Sequence, residues 1–411
     1  MEMLINHDRP LVMHIDLNSC FAMIEQQANP LIRHKPVAVA AYDTPGGMIL
    51  ASSYEAKSKG IRLGLNVRQG REIDPNLIVM MPDPDKYFDA HDRLRKLLLK
   101  YTSEVVSKSV DEYVVDFRGS PIIKSGLNLR KIGNLIKADV KNYLGSYVTV
   151  NIGFGSNRFL AKLAAGIDKP DGLTIITAHN LKEIYNSLTL IDLPGINVRY
   201  EARLNLAGIY TPLQFLDTPA EILRQQVFKS VVGYYWYLRL RGYEIDTVNF
   251  KRRSFGQQYA LSNKTNNIFE LEKLVMKLAE KIGRRLRRLH YSATGIQLWL
   301  SFEDHSYYSK RLKCAELYST QDIYWAADRL LRRVTFYHKV TNISISVYGL
   351  INSSDRQLNL FAGTRYDRKS LAQASDIIND RYGEFTIVPA LMANMQDVII
   401  KRVAFGKVND E

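Results

Sequence analysis

The sequence predicts a multidomain α+β protein, on three observations. Strand-like runs alternate with amphipathic helices over residues 12–155. The texture then changes over 191–216, IDLPGINVRYEARLNLAGIYTPLQFL, to short helices joined by tight turns. A second helix–strand–helix–strand series follows between residues 271 and 350.

The elements can be justified in order. Val12–Leu17 reads as a buried strand interrupted by a lone carboxylate, Asp16, with Cys20 and Phe21 just beyond it. PVAVAAY (36–42) and MILASSY (48–54) are strands flanking a Pro-Gly-Gly turn at 45–47. EAKSKGIRLG (55–64) is a short helix stopped by glycine. Tyr87, Phe88, His91, Leu94, Leu98 and Tyr101 keep helical spacing from Lys86 to Ser103. EVVSKSVDEYVVDFRG (104–119) is two strands about a tight centre at Val110–Glu112. A helix over 128–144 and the strand YVTVNIGFG complete this part, with residues 21–82 inserted after the first strand.

Leu193-Pro194-Gly195-Ile196 is a tight turn whose N–H groups suit a phosphate, as in a helix-hairpin-helix. Asn197 stands where such turns usually carry a second glycine, and asparagine tolerates positive φ. EIDTVNFKRRS (244–254) reads as a polar linker. Beyond it, Leu271, Leu274, Val275, Leu278, Ile282, Leu286 and Leu289 form one apolar helix face. ATGIQLWLSF (293–302) is an alternating strand, 321–335 a helix and NISISVYGL (342–350) a strand.

Composition narrows the function. The chain has 411 residues, 46% hydrophobic and 24% charged, an ordinary globular balance for roughly two to four domains. Its net charge of +14 calls for a polyanionic partner, nucleic acid before membrane. The charge is uneven: residues 251–300 hold eleven basic residues against three acids. No apolar run reaches the ~20 residues of a membrane span, and no secretory signal opens the sequence. Two cysteines, Cys20 and Cys314, stand in no metal-ligand spacing, which fits a reducing cytosol and neither a disulfide framework nor a zinc site.

The chemistry centres on carboxylates. In SVDEYVVDF (109–117), Asp111 and Glu112 interrupt an apolar strand run, and alternation alone would face them apart. A turn or bulge must therefore bring them together. Clustered carboxylates raise one another's pKa, and a hard divalent cation relieves the repulsion. The spacing alone is shared by many phosphoryl-transfer enzymes.

Taken together, four segments in register resemble the Y-family of translesion DNA polymerases, bacterial UmuC/DinB type. They are MHIDLNSCFAMIE (13–25), ASSYEAKSKGIRLG (51–64), SVDEYVVDF and VNIGFGSNRFLAKLAAGIDKPDG (150–172), and the resemblance runs over residues 11–362. It implies a right-hand polymerase: a palm of mixed sheet plus helices (1–20 and 83–176), small fingers (21–82) and a helical thumb with the helix-hairpin-helix (177–243). A linker (244–254), an α+β little finger (255–352) and a tail (353–411) complete it.

The resemblance also implies roles. Asp16, Asp111 and Glu112 match the family's metal ligands, with the Leu17 carbonyl as a further one, for two Mg2+ ions that Mn2+ can replace. Phe21 falls at the steric gate, where a flat ring crowds a ribose 2′-hydroxyl. Tyr54, Lys57 and Lys169 fall at the triphosphate, though Lys57 replaces the family's arginine and loses its bidentate fork. Arg158 and Lys162 read as structural or DNA-facing, Cys20 as a small buried residue, and Met48 as part of a roof over the nascent pair. Gly195, Lys251, Arg252, Arg253, Arg284, Arg285, Arg287 and Arg288 would meet phosphates of primer–template DNA.

Gln357-Leu358-Asn359-Leu360-Phe361 resembles the pentapeptide that binds the bacterial sliding clamp, with Gln357, Leu358, Leu360 and Phe361 as anchors. Residues 368–394 have helical periodicity and no chemical role assigned from sequence. The reading is thus a monomeric, error-prone, template-dependent polymerase using deoxynucleoside triphosphates and the clamp, cytoplasmic and nucleoid-associated, with no membrane contact. The alternative is a catalytically silent DNA- and clamp-binding regulatory member; another two-metal enzyme is a further rival, a cyclase being disfavoured by the helix-hairpin-helix, the basic segment and the clamp peptide, and a nuclease being distinguished by pyrophosphate release.

Overall fold

The structure is a computed structural model; it describes residues 4–124, 126, 128–246, 252–352, 365–395 and 398–399. Two compact units divide near residue 248. In the first, β1 (Val12–Leu17) leads into α1 (Cys20–Ala28). A smaller excursion follows through β2 (Val37–Ala40), β3 (Ile49–Ser52), α2 (Tyr54–Ser58), α3 (Val67–Ile73) and β4 (Ile78–Met80). The chain returns by α4 (Pro84–Leu98), β5 (Val105–Ser107), β6 (Glu112–Asp116), α5 (Pro121–Lys124) and α6 (Leu129–Leu144). It ends this layer with β7 (Val150–Gly155), α7 (Arg158–Gly166) and β8 (Leu173–Ile175).

The five-stranded sheet runs β5-β6-β1-β7-β8, with β1 antiparallel to both neighbours and β8 parallel to β7. Three buried faces explain the strand runs read from sequence: Met13, Ile15, Tyr113, Val115, Ile152 and Phe154 share one core with Leu94, Ile132 and Ile136 of the helices. Helix α1 packs in this same core through Phe21, Ala22, Met23 and Ile24. Sequence alone had grouped those residues with the insertion. The insertion's own sheet, β3-β2-β4, closes a separate small core of Ala38, Ile49, Ala56, Ile61 and Leu77. Helix α7 lies directly on β7 because β7 offers glycines. A Cβ on Gly153 would meet the Ala165 nitrogen at 2.1 Å and the Ala161 oxygen at 2.2 Å.

A helical region follows: α8 (Leu181–Asn186), α9 (Val198–Leu206), α10 (Pro212–Asp217), α11 (Ala220–Ile222) and α12 (Val232–Leu240), around Phe215, Phe228 and Trp236. Gly195 takes φ +96 in the tight turn, as expected of glycine there. Asn197 differs from expectation. Its φ is −113, because it is the N-cap of α9 and its side chain accepts from Arg199 N and Tyr200 N. A single 3₁₀ turn, Leu190–Asp192, stands in place of the first helix of the hairpin.

The second unit is a four-stranded antiparallel sheet of β9 (Ser254–Thr265), β10 (Tyr291–Phe302), β11 (Tyr307–Leu317) and β12 (Val340–Asn352), ordered β11-β10-β12-β9. Helices α13 (Ile268–Arg288) and α14 (Thr320–Leu331) cover one face. Two strands escape the sequence reading. β9 and β11 are the sheet's edges, so their SFGQQYALSNKT and YYSKRLKCAEL runs carry little apolar alternation. β9 also begins at Ser254, inside the span read as linker.

Among the described residues of this unit, the other face of the sheet is uncovered and mostly polar. Gln297 Nε2 donates to Ser309 Oγ at 2.9 Å, Arg311 Nε donates to Gln297 Oε1 at 3.1 Å, and the Arg311 guanidinium stands 5.8 Å from the Tyr348 ring centre. The paired segments Ser254–Ala260, Gly295–Ser301, Tyr307–Lys313 and Asn342–Tyr348 contain no acid and three basic residues, Lys310, Arg311 and Lys313.

The tail helix α15 (Arg365–Tyr382) packs on α13 and corrects the expectation for two arginines. Arg287 forms paired bonds to Asp376, one at 2.8 Å, and Arg284 Nη2 donates to Asp380 at 2.7 Å. Both arginine side chains are buried, so they hold the tail rather than face solvent. Lys281 Nζ donates to the Ile399 carbonyl at 2.6 Å, and Lys277 Nζ to that of Met395. Arg252, Arg253, Arg285 and Arg288 remain exposed, Arg288 beside Asp380 at 3.5 Å. Lys251 and the segment Gln357–Phe361 (Gln357, Leu358, Leu360, Phe361) lie outside the described residues. Among the described residues no helix is long and apolar enough to cross a membrane.

Candidate active site

β1 is the axis of the site. Its register sets Asp16 opposite Glu112 of β6 on one side and opposite Asn151 of β7 on the other. Directly opposed side chains in an antiparallel pair stand about 5 Å apart on one face. Asp111 escapes the alternation problem because it ends the turn before β6 starts. Its carbonyl accepts from Leu17 N at 2.9 Å, and its carboxyl accepts from Ser109 Oγ at 2.6 Å. The turn is fixed to α4 from behind: His91 Nδ1 lies 3.0 Å from the Val110 carbonyl, and its ring stacks on Tyr113 at 4.8 Å.

The three carboxyls share one backbone neighbourhood, yet their side chains are turned to different partners. Lys162 of α7 donates to both Glu112 oxygens, at 2.9 and 2.7 Å, and Lys169 is bonded to Asp16. Among the described residues no three His, Cys, Asp or Glu side chains converge as a ready metal-ligand group. The donor set itself is all oxygen, the chemistry Mg2+ prefers. Electrostatics mark the cluster. Burial pushes the Asp111 carboxyl up, and the charges of Asp16 and Glu112 push it further. Burial would raise Glu112 too, but His14, 3.7 Å away, and Lys162 outweigh it and hold the carboxyl at about 2. Adjacent carboxyls are thus driven in opposite directions.

Lys162 is a site residue that sequence reading left as structural or DNA-facing. Arg158, on the same helix, turns elsewhere, its Nη1 donating to the Asp246 carbonyl at 2.6 Å. Asn151 was also missed. Fully buried, it donates to the Ala165 and Ile167 carbonyls at 3.1 Å and accepts from Gly172 N at 3.2 Å. It thereby holds the loop that delivers Lys169, while Asp171 of that loop pairs with Lys137 and Lys141. Local pattern carries no signal for the bond of Lys162 to Glu112 or for the brace that Asn151 makes.

Helix α1 starts beside the carboxyls. Cys20 is buried; burial raises its thiol pKa, and Asp111 and Asp16 raise it more, so it stays protonated and inert. Phe21 is 3% exposed and stacks on Tyr87 with ring centres 4.4 Å apart. Tyr87 is held by a 2.9 Å bond from its hydroxyl to Glu25. Tyr54 and Lys57, one turn apart on α2, face the same place. The Lys57 ammonium stands 4.7 Å from the Tyr54 ring centre and donates to Ser19 Oγ at 2.7 Å. Burial and then Asp16 push the Tyr54 hydroxyl up to about 12. Burial and then the charge of Lys169 lower the Lys57 ammonium, against the opposing pull of Asp16. Met48 lies half exposed in the loop before β3, its carbonyl accepting from Ala41 N at 2.8 Å.

The impB/mucB/samB family model matches residues 15–166, and the model of that family's C-terminal domain matches residues 252–360. A protein named DNA polymerase IV from Moorella thermoacetica is 31% identical over 385 residues, covering 90% of this chain and 93% of the relative. One of the same name from Pelotomaculum thermopropionicum is 29% identical over 394 residues, covering 94% and 96%. A solved Y-family DNA polymerase chimera of Dbh and Dpo4 shares the fold with a TM-score of 0.72 at 24% identity, over 83% of this chain and 99% of that one. An insertion ternary complex of Dbh DNA polymerase matches over the same shares with a TM-score of 0.56. With a relative at 31% identity matched over nine-tenths of both chains, the chain belongs to the impB/mucB/samB family, the UmuC/DinB-type Y-family of DNA-directed DNA polymerases.

Proposed function

We propose that the chain performs template-directed deoxynucleotidyl transfer past damaged bases, with Asp16, Asp111 and Glu112 as its catalytic carboxylates. The observation that carries this is the β1–β6 register, which sets Asp16 beside Glu112 with Asp111 one residue away. These three groups and the Leu17 carbonyl would hold Mg2+, which when bound supplies Lewis-acid activation of a primer hydroxyl and neutralises leaving pyrophosphate. Lys162 and Lys169 must then give up their carboxylate partners, and Lys169 becomes free to meet a triphosphate. Tyr54 and Lys57 approach from α2 as a second grip on the same polyanion. Phe21 forms the floor under the sugar: its ring cannot retreat, because Tyr87 is stacked behind it.

In this reading the five-stranded layer is the palm, the β3-β2-β4 excursion the fingers, the helical region the thumb and the second unit the little finger. Arg252, Arg253, Arg285 and Gly195 keep their proposed DNA contacts, but the open face of the four-stranded sheet is the better phosphate surface. It is free of acids over the paired segments and carries Arg311 and Lys313, opposite Gln297 and Gly295. Gln357–Phe361 is proposed to recruit the sliding clamp.

Primer extension with Mg2+ on undamaged and abasic templates tests the activity. Asp111→Asn/Glu112→Gln should cut incorporation by about 10³-fold or more while DNA binding persists. Phe21→Ala should admit ribonucleotides that the unaltered chain rejects; a mutant double carboxamide that still extends, or an alanine variant that still rejects, removes those residues from their roles. For the sheet face, Arg311→Gln/Lys313→Gln should lower the slope of log affinity against log salt by about 2, roughly one per lost phosphate contact. An unchanged slope would move the DNA elsewhere. Deleting residues 357–361 should abolish retention on a bacterial sliding clamp while leaving distributive synthesis intact, and retention by the deletion variant would exclude the pentapeptide.

A further inference from the structure

Ser19 stands where two parts of the site meet, in a backbone conformation that disfavours any side chain. It is the N-cap of α1, and serine is a preferred N-cap because its oxygen can accept a helix N–H. Here it does not: the Ser19 side chain caps nothing. It also adopts φ 48, ψ 41, the left-handed region that a Cβ disfavours. Glycine would sit there without strain.

What the hydroxyl does instead is accept from Lys57 Nζ at 2.7 Å, and the same ammonium stands 4.7 Å from the Tyr54 ring centre. Ser19 is three residues from Asp16, so one backbone segment carries the carboxylate and the group that steadies Lys57 over Tyr54. Lys57 particularly needs such a partner. A lysine is a point charge on a flexible stem, without the planar fork that lets arginine fix itself on a phosphate.

We propose that Ser19 is a positioning residue for the incoming triphosphate, its hydroxyl holding the Lys57 ammonium, over the Tyr54 ring, in the geometry that receives the polyanion. The inference rests on the polymerase reading for the identity of the substrate, but not for the Ser19–Lys57 contact itself. A purely structural Ser19 makes a different prediction, because replacement by glycine relieves the backbone.

The test is Ser19→Gly in the full chain, with two readouts. Single-nucleotide incorporation on a primer–template gives kcat and KM for the deoxynucleotide. Thermal unfolding of the chain alone, with and without inorganic tripolyphosphate, gives the ligand-induced shift in Tm. The expected result is an unliganded Tm equal to or above that of the unaltered chain, a smaller tripolyphosphate shift, and KM raised about tenfold with kcat within about twofold, as for a lost hydrogen bond to a charged group. In a Lys57→Met background the same glycine change should alter KM less than about twofold, since its main partner is gone. An unchanged KM and an unchanged shift, in a chain that incorporates normally, would overturn the inference and leave the polymerase reading standing. An unaltered chain that does not incorporate, while Ser19→Gly still loses the tripolyphosphate shift, would sink the polymerase reading and leave the anion-positioning role.

Discussion

The antiparallel register of β1 between β6 and β7 is the constraint on which the rest of the first unit depends. It sets Asp16 against Glu112 and Asn151, and Leu17 against Val150. A slip of one residue would turn Asp16 to the other face and break the Leu17–Asp111 backbone bond. The register is protected by burial on both sides of the sheet: Val12, Met13, His14, Ile15 and Leu17 are all buried. A mis-registered β1 would also shift β6 along β7, and with it Glu112 away from Lys162 of α7. Fold stability and site assembly are therefore the same event at this strand.

Around that axis, charge is balanced locally. Three carboxyls meet three lysines, Lys57, Lys162 and Lys169, supplied by α2, α7 and the loop before β8. Such an arrangement can exchange partners. Carboxylates that leave ammonium groups can take a hard cation, and ammonium groups that leave carboxylates can take a triphosphate. The second unit balances charge differently. Two buried arginines of α13, Arg284 and Arg287, are paired with Asp380 and Asp376 of the tail, while Arg311 lies on the sheet's other face against Gln297.

Much of this was legible in the sequence. Strand ends bearing Asp16 and Asp111–Glu112, the helix starting near Phe21, and the α+β order of both units all follow from periodicity and turn residues. The misses have physical causes. β9 and β11 are edge strands with weak alternation, so their pattern resembles loop. Asn197 was judged by the φ it tolerates, but its capping ability decided its geometry. The α13 arginines looked like a phosphate surface because their acidic partners lie 89 and 96 residues away. Lys162, Asn151 and Ser19 owe their roles to tertiary contacts that local pattern does not encode.

The most direct measurement of the central claim is the number of Mn2+ ions bound per chain, followed by electron paramagnetic resonance in the presence of primer–template and a non-hydrolysable deoxynucleoside triphosphate. If the β1–β6 register builds a shared carboxylate site, the unaltered chain binds two ions, and Asp16→Asn, which keeps shape and removes one charge, binds fewer and more weakly. A stoichiometry and affinity unchanged in Asp16→Asn would contradict the account, because the residue placed at the centre of the site would then have no part in holding its metal.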